Sequence, residues 1–226
     1  MKTCTLATIG LAGLGVLLVA SSARAGGEPA PPTGDAVQAV APVRGLVAEA
    51  GLPSVWGDFL ALVAWRESKG NPQARNDDDS EAAAAAEAYE RNRSRYAGCG
   101  HSASAYTFGS GGWFGMLPAN ALAQLGDAHR CLPPSSVFEP RVAIAMAVGF
   151  ARGLMRWSRY QRVPTWLNLR AMWGWPTKGG DHAYLAKARP KFEQDARDVG
   201  LPASWLSGTP PPLLSTASEV LARLRA

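Results

Sequence analysis

Cysteine and histidine are scarce in this 226-residue chain, with three of each. No Cys-x-x-Cys pair and no His-x-x-x-His spacing occurs, which excludes a zinc module or a dithiol redox centre as the organising feature. His101, His129 and His182 are dispersed and read as structural or surface residues. Charge is sparse too, at 18% of residues, and the basic residues are scattered, without the clustering of a nucleic-acid-binding face. Strand-length alternation and internal repeats are both missing. What is present is apolar mass: 47% hydrophobic residues and eight Trp, enough for a sizeable helical core.

The N-terminus has the order of an export signal. Lys2 is followed by the apolar run "LATIGLAGLGVLLVA", then by Ala23-Arg24-Ala25, a small-residue cleavage site. The run falls short of the ~20 residues of a membrane span, so residues 1–25 are read as a signal peptide of an exported, periplasmic or secreted protein. Cys4 precedes the apolar run and is not a lipoprotein cysteine. Cleavage removes two basic residues, Lys2 and Arg24, from a chain of net charge +5. The remainder is mildly basic, which suits a polyanionic partner such as cell wall. It keeps two thiols, Cys99 and Cys131, and in an exported chain two thiols favour one disulfide over metal ligation.

Punctuation divides the rest. "GGEPAPPTGD" (26–35) reads as a flexible leader. A short helix is expected at 36–50, and a stronger one in "PSVWGDFLALVAWRES", capped by Ser54. Residues 77–108 begin acidic and continue as an Ala-rich, mostly polar helix with Ser80 as its cap and Glu87–Arg91 as an i, i+4 pair. This is read as a solvated surface excursion without chemistry. "GSGGWFGMLPANALAQLG" (109–126) is a Gly-rich loop entering a short helix at Pro118. The segment 140–157 is apolar on nearly every face, the pattern of a central packed helix; Arg141 and Arg152 argue against a membrane span. Further helices are expected at 165–173 and from 182, the latter broken or restarted by Pro190. The expected architecture is all-α: one globular domain over 36–205, then a linker and a tethered C-terminal helix (206–226) with a Thr216/Glu219 capping box.

The residue that stands out is Glu67, in "WRESKGNP". Leu60, Val63 and Glu67 follow i, i+3, i+7 spacing, so an acid shares the apolar face of its helix. Gly70 and Pro72 stop the helix just beyond it. Burial disfavours the ionised form, and so does the negative end of the helix dipole. A carboxyl that keeps its proton near neutral pH is what a general acid requires.

"ESKGNPQARN", followed by "GSGGWFGMLPANA", resembles the soluble lytic transglycosylase family of lysozyme-like, peptidoglycan-cleaving proteins. Glu67, Ser68, Asn71, Pro72 and Ala74 match the family's first motif, and Gly109, Gly112, Pro118 and Ala121 its second. "FEPRVAIAMAVGFARGLM" is similar to its central helix, and "LRAMWGWPTKGGDHAYLAKAR" resembles its Ala-Tyr-Asn-Ala-Gly loop and the helix after it. The order is the family's over about 54–190. Asn76 stands where the family has Ser, Gly115 in place of Gln, Leu117 in place of the second Met, and Trp173 in place of Tyr. The segment 77–108, with Cys99, is an insertion between the two motifs.

The resemblance implies a lysozyme-like domain acting on peptidoglycan glycan strands, without cofactor or metal. Glu67 is the expected catalytic residue. Ser68, Asn76, Trp113, Phe114, Gly115, Leu117 and Trp173 are the positions expected to bind substrate. Ser68 is read as orienting the neighbouring loop; Trp113, Phe114, Trp173 and Trp175 are candidate cleft-wall rings, with core packing the stronger reading for Trp175. The implied reaction uses one carboxylate: Glu67 protonates the oxygen linking N-acetylmuramic acid to N-acetylglucosamine. It then takes the proton of the muramic 6-hydroxyl, which closes a 1,6-anhydro ring. Two alternatives stay open. Were one of Asp77, Asp78 or Asp79 to reach the cleft, the protein would hydrolyse like a goose-type lysozyme. Without turnover, it would be a glycan-binding scaffold of an envelope-spanning machine.

Overall fold

A computed structural model of the chain describes residues 33–226. The signal-peptide assignment (1–25) and residues 26–32 of the leader lie outside the described residues. The first helix, α1 (Thr33–Glu49), starts within the segment read as leader and runs through Pro42. Val40, Val43 and Val47 recur at helical spacing and are buried. They face α2 (Ser54–Ser68), the most extensive helix pairing in the molecule. The cap of α2 is Pro53, with no side-chain bond, and not the expected Ser54. α2 is also more deeply placed than its pattern suggested: every residue from Phe59 to Trp65 is buried.

The segment after α2 forms a two-residue strand, β1 (Arg75–Asn76), and the Gly-rich loop supplies its antiparallel partner, β2 (Ser110–Gly111). A ribbon this short has no periodicity to detect, which is why alternation was absent from the sequence. Gly109 is required beside it: its φ is +86°, and a Cβ there would lie 2.0 Å from the Asn76 carbonyl oxygen.

Between the strands runs α3 (Asp79–Tyr96). Its cap is Asp78, which accepts from the Glu81 N–H at 2.9 Å, while the expected cap Ser80 donates to the same carboxylate oxygen at 2.6 Å. Those two bonds lower the Asp78 carboxyl below its ordinary range, the Ser80 bond most. The Glu87–Arg91 pair is present at 3.2 Å. The insertion is not wholly a solvated excursion, however. Ala84, Ala85, Ala88 and Tyr96 are buried, and α3 packs on α4 (Pro118–Leu122). Tyr89 and Tyr96 of α3 form a ring cluster with Tyr106 beyond it. The expected disulfide, Cys99–Cys131, ties the end of this insertion to the chain beyond α4, a separation of 32 residues.

The central helix is α5 (Pro140–Met155), buried from Val142 to Val148. After a short α6 (Ser158–Arg162), Thr165 caps α7 (Trp166–Gly174) by accepting from the Asn168 N–H. Asn168, wholly buried, fastens the start of α7 by donating to the carbonyls of Arg159 and Val163 and accepting from the Gly180 N–H. Next, α8 (His182–Asp198) passes through Pro190 without interruption, which corrects the expected break. The last helix, α9 (Ala217–Arg225), carries the predicted capping box but is not a tethered appendage. It lays Ala217, Val220, Leu221 and Leu224 on α5, and Arg223 donates to the Ala50 carbonyl at 3.0 Å. Those residues belong to the same core as α1 and α2, so the boundary expected after 205 does not separate a second unit. No helix among the described residues is long and apolar enough to cross a membrane.

Closing a loop of this length confines the unfolded chain by about 3–4 kcal/mol on chain-entropy grounds. The double variant Cys99→Ser/Cys131→Ser is expected to lose roughly that much stability in urea unfolding. A loss below about 1 kcal/mol would show that the bridge adds little to the packing of α3.

Candidate active site around Glu67

α2 ends in an abrupt turn. Lys69 adopts a left-handed conformation (φ 55°) and Gly70 follows with φ 77°. The expected C-terminal glycine is therefore preceded by a non-glycine in the same strained region. The turn is secured by the Lys69 N–H on the Trp65 carbonyl (3.0 Å) and the Gly70 N–H on the Ala64 carbonyl (3.2 Å). The Lys69 ammonium also lies 4.4 Å from the Trp65 ring centroid, a cation–π contact. The last turn thus holds Glu67 with its side chain half-buried, at 22% exposure.

The Glu67 carboxylate has a partner that sequence reasoning missed. Arg170 Nη2, from α7, donates to Glu67 Oε1 at 2.6 Å. The Arg170 side chain is only 3% exposed, and its guanidinium lies 5.0 Å from the ring centroid of Phe192 on α8. One helical turn beyond Phe192, the buried Asp195 faces the same group of charges, with Oδ1 3.6 Å from Arg66 Nη1. Burial pushes the Asp195 carboxyl upward, against the pull of Arg66, Arg170 and Lys69. A signal for Arg170 was present: "WLNLRAMW" puts one charge inside an apolar helix, and arginine is almost never fully buried unless paired.

The other oxygen, Oε2, looks toward the Gly-rich loop. Gly115 has φ +57°, and a Cβ built there would stand 3.4 Å from both Glu67 Cβ and Oε2. The loop is pinned to the end of α2 by several bonds. Ser68 Oγ lies 2.9 Å from the Ala64 carbonyl and 3.0 Å from the Trp113 carbonyl, and donates to either. Trp113 Nε1 donates to the Gly70 carbonyl at 2.8 Å, and the Gly112 N–H to the Ala74 carbonyl at 3.0 Å. Gly111 and Met116 exchange backbone bonds at 3.1 Å each. Ser68 therefore has the orienting position expected of it.

The residues expected to bind substrate divide by burial. Gly115 is beside the carboxylate. Asn76 is half-buried in β1, where it pairs with Ser110 of β2. Trp113, Phe114, Leu117 and Trp173 are at most 3% exposed and offer no ring face or side-chain surface to a ligand. The expectation that these rings form the inner face of a cleft is thereby corrected: they back the loop from within. Trp173 makes aromatic contacts with Phe59, Phe114 and Phe150, and its Nε1 donates to the Phe114 carbonyl at 3.3 Å. Trp175, for which core packing was expected, is instead 40% exposed, at the end of the helix that carries Arg170. Asp77, Asp78 and Asp79 are not drawn into the core, and Asp78 is occupied in capping α3.

The burial contrast is testable by urea unfolding. Trp173→Ala is expected to cost about 3–5 kcal/mol, as for other truncations of core aromatic residues. Trp175→Ala should stay within about 0.5 kcal/mol of wild type. Equal costs would contradict the assignment of Trp173 to the core and Trp175 to the surface.

No family model, no curated protein and no solved structure matches the chain, so its functional reading rests on these residues alone.

Proposed function

We propose that the protein is a peptidoglycan lytic transglycosylase with a lysozyme-like domain, and that Glu67 is its single catalytic carboxylate. The observation that carries the reading is the state of that side chain. It ends a buried helix, is partly exposed itself, has one oxygen fixed and turns the other toward a glycine in a pinned loop. A single carboxylate with one oxygen held and one open is suited to passing a proton out and taking one back.

In this reading Glu67 in its acid form delivers the Oε2 proton to the glycosidic oxygen between N-acetylmuramic acid and N-acetylglucosamine. The C1–O bond breaks, and the leaving sugar departs with that proton as its hydroxyl hydrogen. The muramyl 2-acetamido oxygen holds C1 in the interval. The 6-hydroxyl oxygen then bonds to C1, the acetamido oxygen leaves, and the hydroxyl proton passes to Glu67, which regains its acid form. A second carboxylate is unnecessary, which agrees with Asp78 being engaged in capping α3. Export of the chain is part of the proposal; the Cys99–Cys131 bridge supports it, because such bonds persist in oxidising compartments.

One observation favours a second reading, a glycan-binding scaffold without turnover: the expected aromatic wall is buried, and Glu67 is engaged in an ion pair with Arg170. Both readings are tested by incubating purified murein sacculi with the mature protein and examining the products by mass spectrometry. Anhydro-ended muropeptides are expected from wild type, and none from Glu67→Gln, whose amide keeps the shape and leaves Arg170 a neutral acceptor. Reducing-end products would convert the reading to hydrolysis. Binding of sacculi without soluble fragments would establish the scaffold. Release by Glu67→Gln at the wild-type rate would remove Glu67 from catalysis.

A further inference from the structure

We propose that Arg170 is the positioning residue of the Glu67 carboxylate, holding Oε1 so that Oε2 alone exchanges protons with the glycan. This deepens the lytic reading and rests on it. The guanidinium is fixed on several sides. Its helix is fastened at the start by the bonds of Asn168 and by the Thr165 cap. Its guanidinium carbon lies 5.0 Å from the Phe192 ring centroid, and Asp195, three residues further along α8, adds a negative charge nearby. Arg170 Nε is buried and has no hydrogen-bond partner, so the direction of the group is set by the single short bond to Glu67 and by its packing.

Stability alone does not explain this arrangement. A buried guanidinium loses its hydration, and replacing a buried ion pair as a whole by apolar side chains of similar size is commonly neutral or stabilising. α7 is apolar around Arg170, with Leu167, Leu169, Ala171 and Met172 all buried, and a methionine there would continue that surface. What an apolar residue would not do is orient a carboxylate. Gly115 places nothing on the Oε2 side, so Arg170 is the one side chain bonded to the Glu67 carboxylate among the described residues.

The experiment measures kcat and KM on purified murein glycan strands for wild type, Arg170→Met, Arg170→Lys and Phe192→Leu, together with each thermal midpoint. Arg170→Met is expected to lower kcat about 100-fold, the loss typical of a reacting group misplaced by ~1 Å. Its KM should stay within about twofold of wild type, because the bond it removes runs to Glu67 and not to the substrate. Arg170→Lys should regain about tenfold of the loss, since a charged donor returns without the fork. Phe192→Leu keeps apolar bulk but removes the ring face; it should lower kcat about tenfold at unchanged KM, and it decides the matter if Arg170→Met does not fold. A folded Arg170→Met, or Phe192→Leu in its place, with wild-type kcat overturns the proposal. So does a loss of activity that only follows the thermal midpoints across the variants. An inactive wild-type protein removes the lytic reading and this proposal with it, an outcome distinct from active variants of an active enzyme.

Discussion

The site depends on one ion pair, Glu67 with Arg170, and neither residue is well placed without the other. A carboxylate in the last turn of α2 meets the negative end of the helix dipole and is partly removed from water. A guanidinium within the apolar face of α7 has lost nearly all of its hydration. Each supplies the charge that the other lacks. Three helices meet at this pair: α2 brings the carboxylate, α7 the guanidinium, and α8 the ring of Phe192 and the charge of Asp195 behind it. The abrupt turn at Lys69 and Gly70 then leads the chain away, and the second carboxylate oxygen lies beside Gly115.

Much of the helical order was legible because its signals are local. The apolar run of α5, the Thr216/Glu219 capping box of α9 and the Glu87–Arg91 pair of α3 each need only a few neighbouring residues. What was misread depends on tertiary contacts. Pro190 reads as a break, yet α8 continues through it because Leu185 on one side and Phe192 and Ala196 on the other are buried in the same core. α9 reads as an appendage after "SGTPPPLL", but its apolar stripe finds α5. The alanines of α3 read as solvated because Ala carries little apolar weight in a pattern, and yet a helix face of Ala packs closely on α4.

The candidate site was half legible for the same reason. Glu67 and Ser68 could be found because an acid on an apolar stripe, with a Gly–Pro stop after it, is a local conflict that demands explanation. The Gly-rich loop could be found through its glycines. Of the four candidate wall rings, three are buried: a place beside the loops suggests exposure, but Trp113 turns inward to bond the Gly70 carbonyl, Phe114 lies in the core, and Trp173 joins the Phe59 and Phe150 rings. Trp175 lies just past the end of α7, where the helix no longer packs, and so meets solvent. Arg170 lies 103 residues from Glu67 in sequence, and no pattern within α7 names its partner.

Gly115, which stands where the family that the motifs resemble has glutamine, has a local physical reason. A glutamine at 115 would start from a Cβ 3.4 Å from Glu67 Oε2 and would need the strained φ of +57°. Glycine removes both the crowding and the strain, and with them any side-chain donor on that face of the carboxylate. The other carboxylate oxygen accepts from α7, through Arg170. A guanidinium differs from an amide in kind, because it brings a full positive charge as well as a bond. That charge is not Glu67's alone. Asp195 stands behind it, and its carboxyl is drawn toward the ionised form by Arg66 and Arg170 even as burial pushes the other way. Arg170 is thus bonded to one acid, Glu67, and acts on a second, the buried Asp195. The field at Glu67 is therefore set by side chains on three helices, and the packing of α7 and α8 on α2 fixes how closely Arg170 meets the carboxylate.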